Sequence, residues 1–173
     1  VLVAGFDRLL ARSLRRRVAG ARQVRHLDAG DQAEREPVGT ERVVRQALIE
    51  LRSWRDLGRE LSMSVNVSPA QLREEGFAAF IMDQVDFAEV DPSWLAIEVT
   101  ETALLHDPGR SARELAALSR AGIGISLDDF GTGYSSLSWL TQFPVNVVKI
   151  DRSFTDELGI DERKSAIVSA LIQ

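Results

Sequence analysis

The chain has 173 residues, 45% hydrophobic and 27% charged, enough for one domain with a real core. A net charge of −5 and a pI near 5.1 argue against nonspecific nucleic-acid binding. With no cysteine there is no disulfide framework or thiolate zinc site; no apolar run approaches the ~18 residues of a membrane span, and no signal-peptide pattern is seen, so the cytoplasm is the expected location.

Residues 1–39 form a divergent N-terminal part. A short apolar run, "VLVAGF", is followed over residues 8–36 by seven arginines between Arg8 and Arg25, then by acidic residues. No aromatics interleave with these arginines, so a solvated or disordered segment is expected rather than an RNA-binding one. From 40 to 173 the texture changes. Thr40 is placed to cap a helix through "ERVVRQALIELRSWRDLG", with Val44, Leu48 and Leu51 inward and Gly58 as its stop. "SMSVNVS" alternates strictly and predicts a strand. "PAQLREEGFAAFIMDQVDFAEV" predicts one helix opened by Pro69. "WLAIEVTE" predicts a strand, and Asp107 and Pro108 open a helix that Gly122 ends. "IGISLDDF" predicts a strand, "YSSLSWLTQF" a short helix, "VNVVKID" a strand and "DERKSAIVSALIQ" a final helix. Strands alternating with helices argue for parallel βα units. Because the chain opens on Val1 and stops inside an apolar helical pattern, it is expected to be a piece of a longer protein.

Side chains alternate faces along a strand. Met63, Val65 and Val67 oppose Ser64, Asn66 and Ser68. Leu95, Ile97 and Val99 oppose Ala96, Glu98 and Thr100. Ile125 and Leu127 oppose Ser126 and Asp128, and Val148 and Ile150 oppose Lys149. Each strand therefore has one apolar face and one small or polar face. An open doubly wound sheet wants both faces apolar, whereas the mouth of a barrel tolerates polar groups. An α/β fold of the TIM-type (β/α) barrel class is expected, with Asn66, Glu98, Asp128 and Lys149 brought together near the C-terminal strand ends.

Asn66, Glu98 and Asp128, with Asp129 adjacent, offer only oxygen donors, which suit Mg²⁺, Mn²⁺ or Ca²⁺. Two such ions would activate a water and stabilise a leaving oxygen at phosphorus, with Lys149 as charge partner. The plain alternatives stay open at this level: adjacent aspartates cap helices or face solvent, Asn66 can bond a turn, and Glu98 and Lys149 can form an inward salt bridge. His26 and His106 lack ligand spacing.

"SVNVSPAQL", "LAIEVTET", "SLDDFGTGYSSLSWL" and "PVNVVKIDRSF" resemble, in order and spacing, the EAL-type cyclic di-GMP phosphodiesterase family. The resemblance covers residues 40–173 and implies a modified TIM barrel that hydrolyses cyclic di-GMP to linear pGpG with Mg²⁺ or Mn²⁺. It implies Asn66, Glu98 and Asp128 as metal ligands, with Asp128 shared with a second metal that Asp129 also binds. Lys149 corresponds to the lysine that positions the catalytic water. Glu101 corresponds to the glutamate that holds the loop after the DDFG strand, where the family's homodimers form. An upstream sensory or GGDEF cyclase domain is also a family feature. Two departures stand out. The Glu-Ala-Leu signature is absent; "VAGFDRLLARS" is its nearest counterpart, and Asp7 stands where the family has a first-metal glutamate. The family's Ala-Glu-Gly-Val-Glu stretch lies beyond Gln173, leaving about five of the eight barrel strands. The expectation is thus an EAL barrel, incomplete in this chain and without turnover on its own. The alternative is a degenerate module that binds cyclic di-GMP or a partner protein without catalysis.

Overall fold

The computed structural model describes residues 3–5, 26–27, 38–131 and 140–151. Two short strands, β1 (Val3–Gly5) and β2 (His26–Leu27), precede helix α1 (Val38–Asp56). There follow β3 (Met63–Val67), α2 (Pro69–Leu72), α3 (Phe77–Phe87), a 3-10 turn (Pro92–Trp94) and β4 (Leu95–Thr100). Helices α4 (Glu101–His106) and α5 (Pro108–Arg120) lead to β5 (Gly124–Phe130) and β6 (Val147–Ile150).

The six strands form one sheet in the order β1-β6-β5-β4-β3-β2. From β2 to β6 every pairing is parallel and the spatial order follows the chain order, while β1 runs antiparallel to β6. Right-handed crossovers that always step the same way set every helix on one face. A doubly wound sheet would instead reverse its strand order at a switch point. This singly wound order is that of a barrel wall, and the strand alternation agrees with it. Met63, Val65, Val67, Leu95, Ile97, Val99, Ile125, Leu127, Val148 and Ile150 are all buried against the helical layer. On that layer α1 turns Val44, Ala47, Leu48 and Leu51 inward at helical spacing, and α5 turns in Leu115 and Leu118. Each such leucine contributes about 1.5–3 kcal/mol by leaving water.

The local signals explain most boundaries. Three helices end on a residue with positive φ: Gly58 (71°), Glu89 (52°) and Gly122 (95°). In each, the next residue's N–H reaches back five residues, as Arg59 does to Trp54, Val90 to Val85 and Ile123 to Leu118. Ser68 and Gln71 form a reciprocal capping box at α2. Four details differ from the sequence expectation. Helix α1 begins at Val38, so Thr40 lies inside its first turn. The single helix expected from Pro69 is two, because Gly76 takes φ 77° and breaks it. The start of α3 then has no cap from its own N-cap residue; the Glu114 carboxylate of α5 accepts from Ala78 N–H at 2.8 Å instead. An extra helix, α4, starts directly at Glu101, with Thr100 as its cap. Finally, His26–Leu27 pair with Ser64 and Val65 within the arginine-rich segment, where no strand is expected from sequence. The expected helix over 161–173, and that over 134–143 apart from its end, lie outside the described residues.

Candidate active site

Register builds the polar face of the sheet in two layers. In the lower one Asn66 lies beside Glu98, and Glu98 beside Ser126. In the upper one Thr100 lies beside Asp128. Lys149 belongs to β6, beyond β5. Its Nζ is 2.5 Å from Glu98 Oε2 and 3.5 Å from Asp128 Oδ2. Glu98 is only 2% exposed, so this contact gives a buried carboxylate a counterion in place of the water it has lost.

The paired aspartates owe their placement to a break in the ladder. Leu127 pairs with Val148 but Phe130 pairs with Ile150, so β5 has one residue more than β6 over this stretch. Such a bulge re-aims side chains. Asp129 adopts φ 54° there, and its N–H donates to Asp128 Oδ1 at 3.1 Å. Strict alternation would send Asp129 into the apolar layer; the extra residue leaves it exposed and returns Phe130 to that layer, 5% exposed. The Asp129 carboxyl is pushed above its ordinary pKa, first by partial burial, then by the Asp128 and Asp151 carboxylates, against the opposing pull of Lys149.

Glu101 is buried, and its Oε2 accepts from Gly131 N–H at 3.4 Å, tying the start of α4 to the residue that leaves β5. Asn146, just before β6, exchanges two bonds with Ile125 at 2.9 Å each and aligns β6 with β5. Asp7 lies outside the described residues, as do residues 132–139.

The sequence-derived set is thus brought together in part. Glu98, Asp128 and Lys149 touch, Asn66 adjoins Glu98, and Asp129 sits at the rim. Among the described residues no three His, Asp or Glu side chains converge closely enough to hold a metal ion in this arrangement. The donor chemistry nevertheless fits a hard cation: the Glu98 and Asp128 carboxylates meet at the Lys149 ammonium, the Asn66 amide adjoins Glu98 in register, and Asp129 stands next to Asp128. Two residues here carry no role in the sequence reading. Ser126 shares the face of Asp128, and Asp151 stands two residues after Lys149, so alternation was the available signal for both. A separate pocket of about 420 Å³ between α1 and α3, lined by Leu48, Ile49, Phe87 and Ala88, is apolar and remote from this chemistry.

Comparison with known proteins covers the same part of the chain. The family described as "EAL domain" matches residues 34–173. The bifunctional diguanylate cyclase/cyclic di-GMP phosphodiesterase MucR of Pseudomonas aeruginosa is 40% identical over 131 residues, 75% of this chain and 19% of that protein. The cyclic di-GMP phosphodiesterase RocR of the same organism is 35% identical over 127 residues, 73% of this chain and 32% of that protein. Among solved structures, the MucR phosphodiesterase in complex with c-di-GMP superposes with a TM-score of 0.70 at 40% identity, covering 76% of this chain and 54% of that one. The EAL domain of DcpA from Mycobacterium smegmatis superposes with a TM-score of 0.67 at 37% identity, covering 75% and 59%. The chain therefore spans a third or less of these curated relatives and just over half of the solved chains. The likeness carries the TIM-barrel-like fold expected from the strand pattern.

Proposed function

The chain belongs to the EAL domain family, and on that premise we propose that it supplies the catalytic face of a cyclic di-GMP phosphodiesterase, yielding linear pGpG. The observation that carries this reading is the meeting of Lys149, Glu98 and Asp128, from three strands, on the one polar face of a singly wound sheet. Support comes from the relatives named as acting on cyclic di-GMP and from the MucR complex with that ligand.

Asn66, Glu98, Asp128 and Asp129 are the groups that would hold Mg²⁺ or Mn²⁺, with Asp7 as a further candidate. Such a cation supplies an activated water and charge stabilisation at phosphorus when bound. The chain's own residues do the positioning. Glu98, buried, is held by Lys149, whose ammonium is free to turn its remaining protons toward a water or a phosphate oxygen. Asp128 sets the upper layer and receives the Asp129 N–H, which fixes the bulge. Glu101 holds Gly131, so the loop that follows starts from a fixed point. A homodimer through that loop, an adjoining cyclase domain and a cytoplasmic location complete the proposal. Among the described residues no helix is long and apolar enough to cross a membrane.

Conversion of cyclic di-GMP to pGpG by the protein that carries this chain, with Mg²⁺ or Mn²⁺, tests the reading. Turnover should vanish in Asp128→Asn. Ca²⁺, which prefers looser coordination with more oxygens, should occupy the site without supporting turnover. Tight binding of cyclic di-GMP with no turnover would select the receptor reading, and neither binding nor turnover would end the proposal.

A further inference from the structure

Among the described residues, the polar face holds one buried polar atom without a hydrogen-bond partner. Ser126 is 4% exposed, and its Oγ has no hydrogen-bond partner among the described residues. It stands beside Glu98 in register and on the same face as Asp128 of its own strand. Strands β4 and β6 flank β5, and at about 4.8 Å per strand they lie about 9.6 Å apart. Lys149 Nζ still meets Glu98 Oε2 at 2.5 Å, so the two side chains join over β5. Ser126 stands on the strand that this pair spans, level with Glu98 on one side and with Val147 on the other.

A buried hydroxyl with no protein partner is rare, and a buried water with about three polar partners is the common resolution. The groups around Ser126 match the needs of one water. It can accept from the Ser126 hydroxyl and from the third proton of the Lys149 ammonium, and donate to the Glu98 and Asp128 carboxylates. We propose that Ser126 is a positioning residue: its hydroxyl anchors one ordered water beside the Lys149–Glu98 pair and thereby fixes both charged groups. Its effect on turnover rests on the phosphodiesterase reading; its effect on Lys149 does not.

The test follows the Lys149 ammonium directly, by NMR of protein labelled with ¹⁵N-lysine, the signal being assigned by its loss in Lys149→Arg. Ser126→Thr keeps the hydroxyl, Ser126→Val matches threonine in volume without it, and Ser126→Ala removes only the oxygen. Ammonium proton exchange should stay slow in the wild type and in Ser126→Thr. It should quicken about tenfold in Ser126→Ala and Ser126→Val, as the loss of a hydrogen bond to a charged group allows. Equal exchange in threonine and valine variants overturns the proposal, as does a wild-type Lys149 signal already averaged away by fast exchange. Ser126→Ala covers the case in which the two larger side chains disturb packing. On cyclic di-GMP, Ser126→Ala should lower kcat with little change in KM. No turnover in the wild type, with the exchange difference intact, sinks the phosphodiesterase reading and leaves the role of Ser126 standing.

Discussion

Leu127 and Phe130, three residues apart on β5, face the same apolar layer because the bulge at Asp128–Asp129 inserts one residue between them. The sheet thus gains a second carboxylate at its polar rim at the cost of one left-handed backbone conformation. Asp129 (φ 54°) is among the few residue types that tolerate this region. Asparagine tolerates it equally and carries no charge. A carboxyl whose folded-state pKa is raised is disfavoured when ionised. Its contribution is therefore most favourable at low pH and is lost as pH rises from the ordinary carboxylate value through the raised one. Asp129→Asn should stabilise the fold at pH 7, in urea unfolding with chelator present, by less than about 1 kcal/mol, since solvent screens an exposed group. The gain should fade toward pH 3. A lower urea midpoint in Asp129→Asn at pH 7 would show that the carboxylate stabilises the bulge.

The three left-handed helix ends offer an internal comparison. Two use glycine, Gly58 and Gly122, whereas the third uses Glu89 at φ 52°. The same hydrogen bonds form in each, so only the Cβ separates them. Glu89→Gly should stabilise the fold by about 0.5–1 kcal/mol in urea unfolding. The side chain removed also meets Arg52 Nη1 at 3.2 Å, but that pair is solvent-exposed and weak, and Arg52 keeps its bonds to the Ala88 and Glu89 carbonyls. A net loss of stability would mean that the Arg52–Glu89 pair outweighs the backbone strain.

How far the sequence reveals this arrangement depends on the kind of signal. Strand parity is local and strict, so alternation alone identifies the inward set of Asn66, Glu98, Asp128 and Lys149, and with it the barrel-type wall. Helix starts marked by Pro69 or Pro108 are equally plain. What alternation does not explain is how Asp129 reaches the rim within the strand, because a bulge is set by the partner strand rather than by the residues that bulge. Gly76 divides a helix whose apolar pattern runs on unbroken, and helix α4 is hidden because its first residue, Glu101, is buried for tertiary reasons. Ser126 and Asp151 carry no motif of their own; alternation puts them on the polar side, but register, and the electrostatics of neighbours 22 residues apart (129 to 151), are what tie them to the site.

Breaking the Lys149–Glu98 pair from one side should be worse than removing both charges. Lys149→Met leaves Glu98, 2% exposed, without its counterion and should cost about 3 kcal/mol. Asp128, at 3.5 Å from the same ammonium, would add repulsion to that loss. The double variant Glu98→Gln with Lys149→Met removes the stranded charge and should recover most of the stability. Urea unfolding of the two single variants and the double forms a cycle, and additive losses would contradict a coupled buried pair.

Glu101 and Gly131 join the start of α4 to the exit of β5 through one hydrogen bond of 3.4 Å. Glu101 is 3% exposed, so its carboxylate gives up the hydration that a solvent-facing first-turn acid keeps, and the Gly131 N–H offsets part of that loss. Gly131 itself takes φ 104°, a conformation that any Cβ would strain, so the backbone there depends on being held. Glu101→Gln keeps an acceptor oxygen at the same reach, whereas Glu101→Ala leaves the Gly131 N–H without its carboxylate partner. Stability should fall by about 1–3 kcal/mol in the alanine variant and less in the glutamine one. Hydrogen exchange at the Gly131 amide should quicken in Glu101→Ala and stay near wild type in Glu101→Gln. Turnover of cyclic di-GMP should follow the same order, because Asp128 and Asp129 lie within three residues of the freed position. Identical Gly131 exchange in both variants would show that the loop's start is held by its own backbone rather than by Glu101.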